Sequence, residues 1–270
     1  MTRLQELKYF LRQYTAGGIA LAFSGGTDST LLLAVLAEMQ QETPFHLTAL
    51  TMHSNFQTKE ELENVRKLTD EYHVSLQVFS GDPMQIPEVR TNQPDRCYHC
   101  KKFIFSTFLQ YAKEHGYSIL LDGTHAGDLN VYRPGRQALI ELGVLSPLAA
   151  LKMDKPEIRA LAGQMDIAVC QKPAAPCLAT RFEYGTLLTP ELLQKVADGE
   201  AVLRKYIPET IPCRLRVQKD LARIEVPADA MEIILRHRET ILADLLKLGF
   251  SFITLDLQGF RSGCYDKKLA

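Results

Sequence analysis

The sequence predicts an α/β protein in which a parallel sheet carries helices on both faces, followed by a smaller α+β domain. Over the first part of the chain, short apolar runs of strand length alternate with longer helical patterns, as in proteins built from β–α–β units. The composition then changes over 171–184, which is rich in Pro and Ala and is typical of a loop or linker. We therefore predict an α/β domain at 1–184 and an α+β domain at 185–270.

The elements follow from the apolar periodicity of each segment. In the first domain the predicted strands are 18–23, 45–52, 74–79 and 117–121, and we expect 167–170 to add a last strand. The helices predicted there are 1–14, 30–37, 59–72, 103–111 and 155–165, the last with Asp154 as its N-cap and Pro156 in its first turn. In the second domain we predict helices at 189–206 and 228–248 and strands at 214–217, 222–226 and 250–257.

The turn that joins the first strand to its helix is the most informative stretch of the sequence. It reads Ser-Gly-Gly-Thr-Asp-Ser over 24–29. Gly25 and Gly26 open backbone conformations closed to other residues, and the first N–H groups of the helix have no partner within it, so the turn suits a phosphate. Asp28 would repel that phosphate unless it caps the helix or holds a cation such as Mg²⁺. No Gly-Lys-Ser/Thr follows, so this is not a Walker A loop.

Composition excludes several classes of function. The net charge is −1, so no broad basic field attracts nucleic acid, and we expect no nucleic-acid partner. The apolar runs are too short to span a bilayer, and 1–14 lacks the apolar segment of a signal peptide. We therefore expect a cytoplasmic protein with no membrane partner. The 6 cysteines then indicate metal or catalytic chemistry in preference to disulfides.

Two groups of cysteines can be distinguished. Cys97 and Cys100 form a C-x-x-C just before a helical pattern. Cys177 lies in a loop that we expect at the edge of the ligand crevice, which in such sheets lies beyond the carboxyl ends of the strands. Three thiolates would hold a [4Fe–4S] cluster and leave one iron without a protein ligand, whereas a lone C-x-x-C equally suits zinc or a redox disulfide. The cysteines interpreted as core packing or as incidental are Cys170, Cys213 and Cys264.

Arginines of the second domain indicate an anion site. Arg214 and Arg216 alternate with apolar residues, so on a strand they share one face with nothing acidic between them. A solvated strand face would show the same pattern. Arg261, which follows the last predicted strand, is a candidate to join them. Arg181 and Tyr184, which lie beside Cys177 in the sequence, are considered together with these arginines.

With these residues assembled, the turn at 24–29 resembles the PP-loop family of ATP pyrophosphatases, which split ATP between the α and β phosphates and adenylate a substrate. The whole chain resembles the LarE family of ATP-dependent sulfur transferases, through motifs at 24–30, 121–128, 132–136, 177–189, 215–227 and 254–263. The resemblance implies an enzyme that adenylates a carboxylate of pyridinium-3,5-biscarboxylic acid mononucleotide and converts it to a thiocarboxylate. The product belongs to nickel-pincer nucleotide cofactor biosynthesis. We also expect a hydrosulfide source and a homo-oligomer.

The resemblance also implies roles for single residues. The ATP set is Ser24, Gly25, Gly26, Thr27, Asp28 (with Mg²⁺), Ser29 and Met52. The catalytic set is Cys177, Lys101, Asp28 and Glu200, in which Lys101 neutralises phosphate charge and Glu200 has no role that the sequence explains. The substrate-phosphate set is Arg181, Arg214, Arg216 and Arg261.

The family contains two types of sulfur donor. One type sacrifices its own cysteine and is left with dehydroalanine, whereas the other carries the sulfur on a [4Fe–4S] cluster held by three cysteines. The set Cys97, Cys100 and Cys177 is similar to the second type, although Cys177 would also suit sacrificial donation. Three less favoured alternatives also suit the loop at 24–29: a PP-loop tRNA 2-thiolation enzyme, an amide-forming ligase, which would have no use for the three cysteines, and a protein that only binds ATP.

Overall fold

The computed structural model describes residues 1–130, 133–168, 173 and 175–265. The chain separates into two compact units, each continuous in space but not in sequence. The first unit comprises Met1–Ser54, Lys59–Pro83 and Asp95–Gln171, and the second comprises Asn55–Thr58, Met84–Pro94 and Lys172–Ala270. The domain boundary at residue 184 stays a prediction.

The first unit is built on a parallel four-stranded sheet, as predicted. Its described strands are β1 (Ile19–Ala22), β2 (Leu47–His53), β3 (Ser75–Ser80) and β4 (Ile119–Leu121). They lie in the order β3-β2-β1-β4, and every neighbouring pair is parallel. The chain therefore builds outward from β1 to β3 and then returns to the other side of β1. Ligands of such sheets bind at this reversal, beyond the carboxyl ends of the strands.

The described helices follow the strands in the alternation that the sequence predicts. They are α1 (Arg3–Arg12), α2 (Thr27–Glu42), α3 (Lys59–Glu71), α4 (Pro87–Arg90), α5 (Arg96–Glu114), α6 (Pro134–Glu141), α7 (Pro147–Ala150), α8 (Lys155–Gln164), α9 (Pro190–Arg204), α10 (Met231–Arg236) and α11 (Arg238–Lys247). The predicted cap of α8 is present, since the Asp154 side chain accepts a hydrogen bond from the Glu157 N–H. None of them has both the length and the apolar character needed to cross a bilayer.

Both faces of the first sheet are covered. Ile19 and Leu21 of β1 point to one face, where they pack in a core with Leu32 of α2 and Ile158 of α8. Ala20, between them, points to the other face and packs with Phe105 and Phe108 of α5. Successive residues of a strand point to opposite faces, so a strand buried on both sides reads as a continuous apolar run.

The second unit contains a smaller mixed sheet. Its described strands are β5 (Arg214–Gln218), β6 (Leu221–Glu225) and β7 (Phe252–Leu255), in the order β5-β6-β7. The first pair is antiparallel and the second is parallel. Helix α9 packs closely on β5, because a Cβ on Gly199 would lie 2.3 Å from Cδ2 of Leu215. This contact brings the polar face of α9 beside the arginines of β5.

Three predicted elements differ from the structure. The helix predicted at 228–248 is interrupted: His237 leaves the helical conformation with ψ 15° and stacks on Tyr206, which separates α10 from α11. Helix α5 begins at Arg96, so the C-x-x-C lies inside the helix. Of the strand predicted at 167–170, Ile167 and Ala168 are not in a strand, and Val169 and Cys170 lie outside the described residues.

Candidate active site

The loop at 24–26 lies between the end of β1 and the start of α2. Gly25 has φ +71°, and a Cβ there would lie 2.9 Å from Nδ2 of Asn64. The positive φ therefore favours a glycine, and a Cβ here would in addition displace the Asn64 side chain of α3. Gly26 is the N-cap of α2 and makes no side-chain cap. The first turn of this 16-residue helix thus points its N–H groups beyond the carboxyl edge of the sheet.

Hydroxyl groups of the loop bond to one another through long contacts. Ser24 Oγ lies 3.2 Å from Ser29 Oγ, and the Gly26 N–H donates to Ser24 Oγ at 3.4 Å. Ser29 Oγ also donates to the Gly26 carbonyl at 3.1 Å. These contacts are at the weak end of hydrogen-bond geometry. The same donors can turn to phosphate oxygens at little cost.

The carboxylate of Asp28 is held by a lysine that was not among the predicted site residues. Lys155 Nζ donates to both carboxylate oxygens, at 2.6 and 2.7 Å. The side chain of Lys155 reaches the loop from the first position of α8, which packs against α2. A lysine at a helix N-terminus is disfavoured by the helix dipole, and this is the signal that could have singled it out. Carboxylate and hydroxyl oxygens suit Mg²⁺, so Asp28 with Ser24 and Ser29 is an appropriate donor set.

A second turn closes against the loop. After β4 the chain reads Asp122-Gly123-Thr124, and a Cβ on Gly123 would lie 3.0 Å from the Ser29 nitrogen. Asp122 is buried and accepts hydrogen bonds from the hydroxyls of Thr124 and Ser146. Its carboxylate therefore shapes the turn.

Met52, predicted to contact ATP, is 5% exposed and packs in the core between the sheet and α5. Its sulfur would lie 2.8 Å from a Cβ on Gly81, so the chain after β3 approaches it closely. Contact of Met52 with ATP stays a prediction.

The C-x-x-C lies in the first two turns of α5. Cys97 and Cys100 are partly exposed and, being three residues apart on a helix, lie on the same side of it. The ammonium of Lys101 lies 5.7 Å from the ring centroid of Phe105, and it has no carboxylate partner among the described residues. Its stem fills the space beside Gly135, where a Cβ would lie 2.9 Å from its Cδ.

Lys102, the next residue, has a different environment from Lys101. It donates to the Tyr98 hydroxyl at 2.7 Å and to Glu141 of α6 at 3.0 Å. Bonds from Tyr98 and then from Lys102 lower the pKa of Glu141 to about 2. Lys102 therefore ties α5 to α6, and a ligand-binding role of Lys101 stays a prediction.

Cys177, the third predicted ligand, belongs to the second unit. It is exposed and precedes a 3₁₀ turn at Leu178–Arg181. Within the ranges that the structure describes, no group of three or more His, Cys, Asp or Glu side chains is arranged to hold a metal ion. The [4Fe–4S] cluster therefore stays a prediction.

The other described cysteines, Cys213 and Cys264, have thiols whose pKa is raised by burial. Cys213 is 7% exposed, and burial raises the pKa of its thiol to about 12. Cys264 lies with its sulfur 3.9 Å from Oε1 of Glu225, and burial raises the pKa of this thiol too. Such thiols are protonated and poorly nucleophilic near neutral pH. Cys170 lies outside the described residues.

Glu200 has a clear partner in the structure. Its carboxylate accepts two hydrogen bonds from Arg181, at 2.9 and 3.0 Å, and one from the Leu215 N–H at 3.0 Å. Arg181 also donates to the Pro176 carbonyl at 2.7 Å. Glu200 on α9 thus orients Arg181 and links it to β5. The sequence could not show this, because it depends on how α9 packs on the sheet.

Arg216 has an acidic partner, although its neighbours along β5 are apolar. It is 2% exposed, and its Nε lies 3.0 Å from Oε2 of Glu225 on the neighbouring strand, which is itself fully buried. Arg223 pairs with the other oxygen of that carboxylate at 3.2 Å. Arg261 is paired as well, with Asp256 at 2.9 Å. Nothing acidic separates Arg214 and Arg216 along β5, but neighbouring elements supply carboxylates that the alternation on one strand does not show.

Arg214 is the exception in this arginine cluster, which comprises Arg181, Arg214, Arg216, Arg223 and Arg261. It is 5% exposed, its guanidinium lies 4.6 Å from the ring centroid of Phe260, and no carboxylate among the described residues pairs with it. Burial, followed by repulsion from Arg181 and Arg216, lowers the pKa of Arg214 to about 10. A buried cation with no counter-ion is destabilised, so this position attracts an anion.

Comparisons with known proteins establish the family of the chain. The family model of the PP-loop domain matches residues 2–131. The pyridinium-3,5-bisthiocarboxylic acid mononucleotide synthase of Lactiplantibacillus plantarum is 34% identical over 245 residues, which cover 91% of this chain and 87% of that protein. An uncharacterized protein of Synechocystis sp. is 33% identical, with 99% of this chain and 98% of that protein covered. An uncharacterized protein of Methanocaldococcus jannaschii is 32% identical, with 97% and 98% covered. The chain therefore belongs to the LarE family and is built on a PP-loop domain.

Proposed function

We propose that this chain is an ATP-dependent sulfur transferase that acts on a phosphorylated pyridinium carboxylate. It adenylates a carboxylate of pyridinium-3,5-biscarboxylic acid mononucleotide and converts it to a thiocarboxylate for a nickel-pincer nucleotide cofactor. The observation that carries the proposal is the buried guanidinium of Arg214, which has no carboxylate partner in the described ranges and therefore calls for a small anionic ligand. The name of the L. plantarum relative, a mononucleotide synthase, supplies the class of that ligand.

The loop of the first unit performs the activation step in this proposal. The N–H groups at the start of α2 and the hydroxyls of Ser24 and Ser29 bind the β and γ phosphates. The substrate carboxylate attacks the α phosphate, the bond to the β phosphate breaks, and pyrophosphate leaves. Lys101, with no carboxylate partner among the described residues, neutralises charge that develops on the phosphate.

The arginine cluster of the second unit holds the substrate. Glu200, Glu225 and Asp256 form ion pairs with the other arginines and fix the positions of those side chains. Arg214 therefore lies among side chains that are held in place. A phosphate monoester supplies the counter-ion that Arg214 lacks. Arg181, Arg216 and Arg261 contribute the remaining positive potential.

Sulfur delivery is assigned to Cys97, Cys100 and Cys177. The donor set fits a cluster chemically, because thiolates are the usual ligands of iron–sulfur centres and all three positions are at least partly exposed. A [4Fe–4S] cluster bound by these residues would supply an iron without a protein ligand, to which hydrosulfide can bind. The exposed thiol of Cys177 favours a second candidate. In this route the Cys177 thiolate attacks the acyl-adenylate and AMP leaves; loss of the Cα proton then breaks the Cβ–S bond, which gives the thiocarboxylate and leaves dehydroalanine.

The activity is tested by pyrophosphate release from ATP with pyridinium-3,5-biscarboxylic acid mononucleotide. We expect release that requires the mononucleotide, and Arg214→Met should raise its KM by about tenfold or more, because a charge-assisted hydrogen bond is lost. Arg236→Met, which removes an exposed arginine paired with Glu232, is the matched control and should leave KM unchanged.

No release with the mononucleotide would contradict the proposed activity. Release dependent on ammonia would indicate an amide ligase. Salt-sensitive binding of tRNA would indicate a tRNA thiolation enzyme. ATP binding without any release would mean that ATP is only a bound ligand.

The sulfur donor is tested by anaerobic reconstitution with iron and sulfide. We expect about four irons per chain, lost in Cys97→Ala, Cys100→Ala and Cys177→Ala but retained in the control Cys213→Ala, whose thiol is buried. One tightly bound zinc and no iron would contradict the cluster. A mass loss at Cys177 after a single turnover would establish sacrificial donation in its place.

A further inference from the structure

The contact between Lys155 and Asp28 has an unusual form. The ammonium of Lys155 lies between the two carboxylate oxygens, 2.6 Å from one and 2.7 Å from the other. Both groups are partly buried, with 30% of the lysine side chain and 23% of the aspartate side chain exposed. The described part of the chain gives Lys155 no other side-chain partner. The lysine therefore reaches the loop only through this carboxylate.

The same two oxygens are those that a metal ion would use. Asp28 is the acidic residue in the first turn of α2, and the other oxygens of the loop are hydroxyls and carbonyls. A divalent cation needs the negative charge of Asp28, because neutral oxygens alone bind it weakly. Lys155 and the cation therefore compete for Asp28.

We propose that Lys155 is a phosphate-binding residue that exchanges with the metal ion at Asp28. In the nucleotide-free protein Lys155 neutralises the carboxylate, which would otherwise repel an incoming phosphate. When a metal–nucleotide complex binds, the cation takes the oxygens of Asp28, and the ammonium moves to a phosphate oxygen. This inference rests on the proposed use of ATP by the loop.

The position of Lys155 supports the exchange. An ammonium has three N–H donors, and two are directed at Asp28, so one remains for a phosphate oxygen. Lys155 is the first residue of α8, and Asp154, the N-cap before it, is engaged by the Glu157 N–H. No local carboxylate therefore holds the ammonium, and the flexible four-carbon stem allows a short movement.

The exchange predicts opposite effects of one substitution on two ligands. In Lys155→Met, Mn²⁺ alone should bind Asp28 about tenfold more tightly than in the wild type, because its competitor is gone. The complex of Mg²⁺ with α,β-methylene-ATP should bind about tenfold more weakly, because a charge-assisted contact to phosphate is lost. Electron paramagnetic resonance of free Mn²⁺ measures the first affinity, and calorimetry measures the second.

Lys8→Met is the matched control. Lys8 also bridges carboxylates of the first unit, Glu38 at 2.8 Å and Glu42 at 3.2 Å, but these lie near the end of α2 opposite the loop. This variant should leave both affinities unchanged. Weaker binding of both ligands in Lys155→Met would show a merely structural role and overturn the proposal, as would no change in either.

A second variant keeps the test decisive if Lys155→Met does not fold. In Asp28→Asn, Lys155 is released, so α,β-methylene-ATP without metal should bind several-fold more tightly than in the wild type. Equal or weaker metal-free binding would overturn the exchange. Failure of the wild type to release pyrophosphate with the mononucleotide would contradict the proposed function and leave these binding results unaffected.

Discussion

The two candidate anion sites, the loop after β1 and the arginine cluster, bind anions through different chemical groups. The loop after β1 uses backbone N–H groups and short hydroxyl side chains from residues that are consecutive in sequence. The arginine cluster uses long side chains from the turn at Leu178–Arg181, from β5 and β6 and from the segment after β7. Its paired carboxylates come from α9, from β6 and from the residue after β7. A local site depends on backbone conformation, whereas a dispersed site depends on packing and on paired charges. Substitutions should therefore impair the two sites differently: removal of a paired charge should affect the arginine cluster, and a change of backbone conformation should affect the loop.

The largest effect is expected when a paired charge of the dispersed site is removed. Glu225→Gln leaves the buried guanidinium of Arg216 without its carboxylate, so we expect a loss of about 3–5 kcal/mol in the free energy of unfolding. Urea denaturation followed by circular dichroism measures this. Glu232→Gln is the control: its pair with Arg236 is exposed, and the loss should stay below about 1 kcal/mol. Equal losses would mean that burial of the pair is energetically unimportant.

The next effect is expected from the backbone of the local site. Gly25→Ala places a Cβ 2.9 Å from Nδ2 of Asn64 at a φ of +71°. We expect a loss of about 1–3 kcal/mol in stability from the strained backbone. ATP binding should weaken by about 100-fold, because the N–H groups are displaced. Calorimetry gives the affinity, and Gly163→Ala, in α8 with open space around its Cβ, is the control. Unaltered ATP binding would remove the loop from the nucleotide site.

The smallest effect is expected in the pH dependence of ligand binding at the arginine cluster. The pKa of Arg214 is lowered to about 10, and only its protonated form attracts phosphate. The phosphate of nicotinic acid mononucleotide loses its second proton at about pH 6, so its association constant should be flat only between about pH 7 and about pH 10 and should fall by up to about tenfold per unit above that range. Arg214→Met should bind more weakly at every pH and lack this fall. A fall that persists in the variant would have to come from another group.

The sequence predicts the local features of this protein better than the features that depend on contacts between separate elements. The four parallel strands and the loop at 24–29 were predicted from short apolar runs and glycines, because backbone conformation depends on neighbouring residues. The partners of Arg181, Arg216 and Asp28 were not predicted. Glu200, Glu225 and Lys155 lie on other elements, and only strand register and helix packing bring them into contact. The break at His237 was missed for a similar reason, since its stacking on Tyr206 has no local signal.

The amino-acid sequence alone is sufficient to specify a strand–glycine loop–helix unit suited to phosphate, a C-x-x-C motif and alternating arginines. These are local patterns, and they follow from local sterics and hydrogen bonding. The folded structure was needed to establish which of those charges are already neutralised. Arg216 and Asp28 have partners on other elements, whereas Arg214 is buried without a carboxylate partner in the described residues. Whether a charge attracts a ligand depends on the groups packed around it, and that is a property of the folded chain.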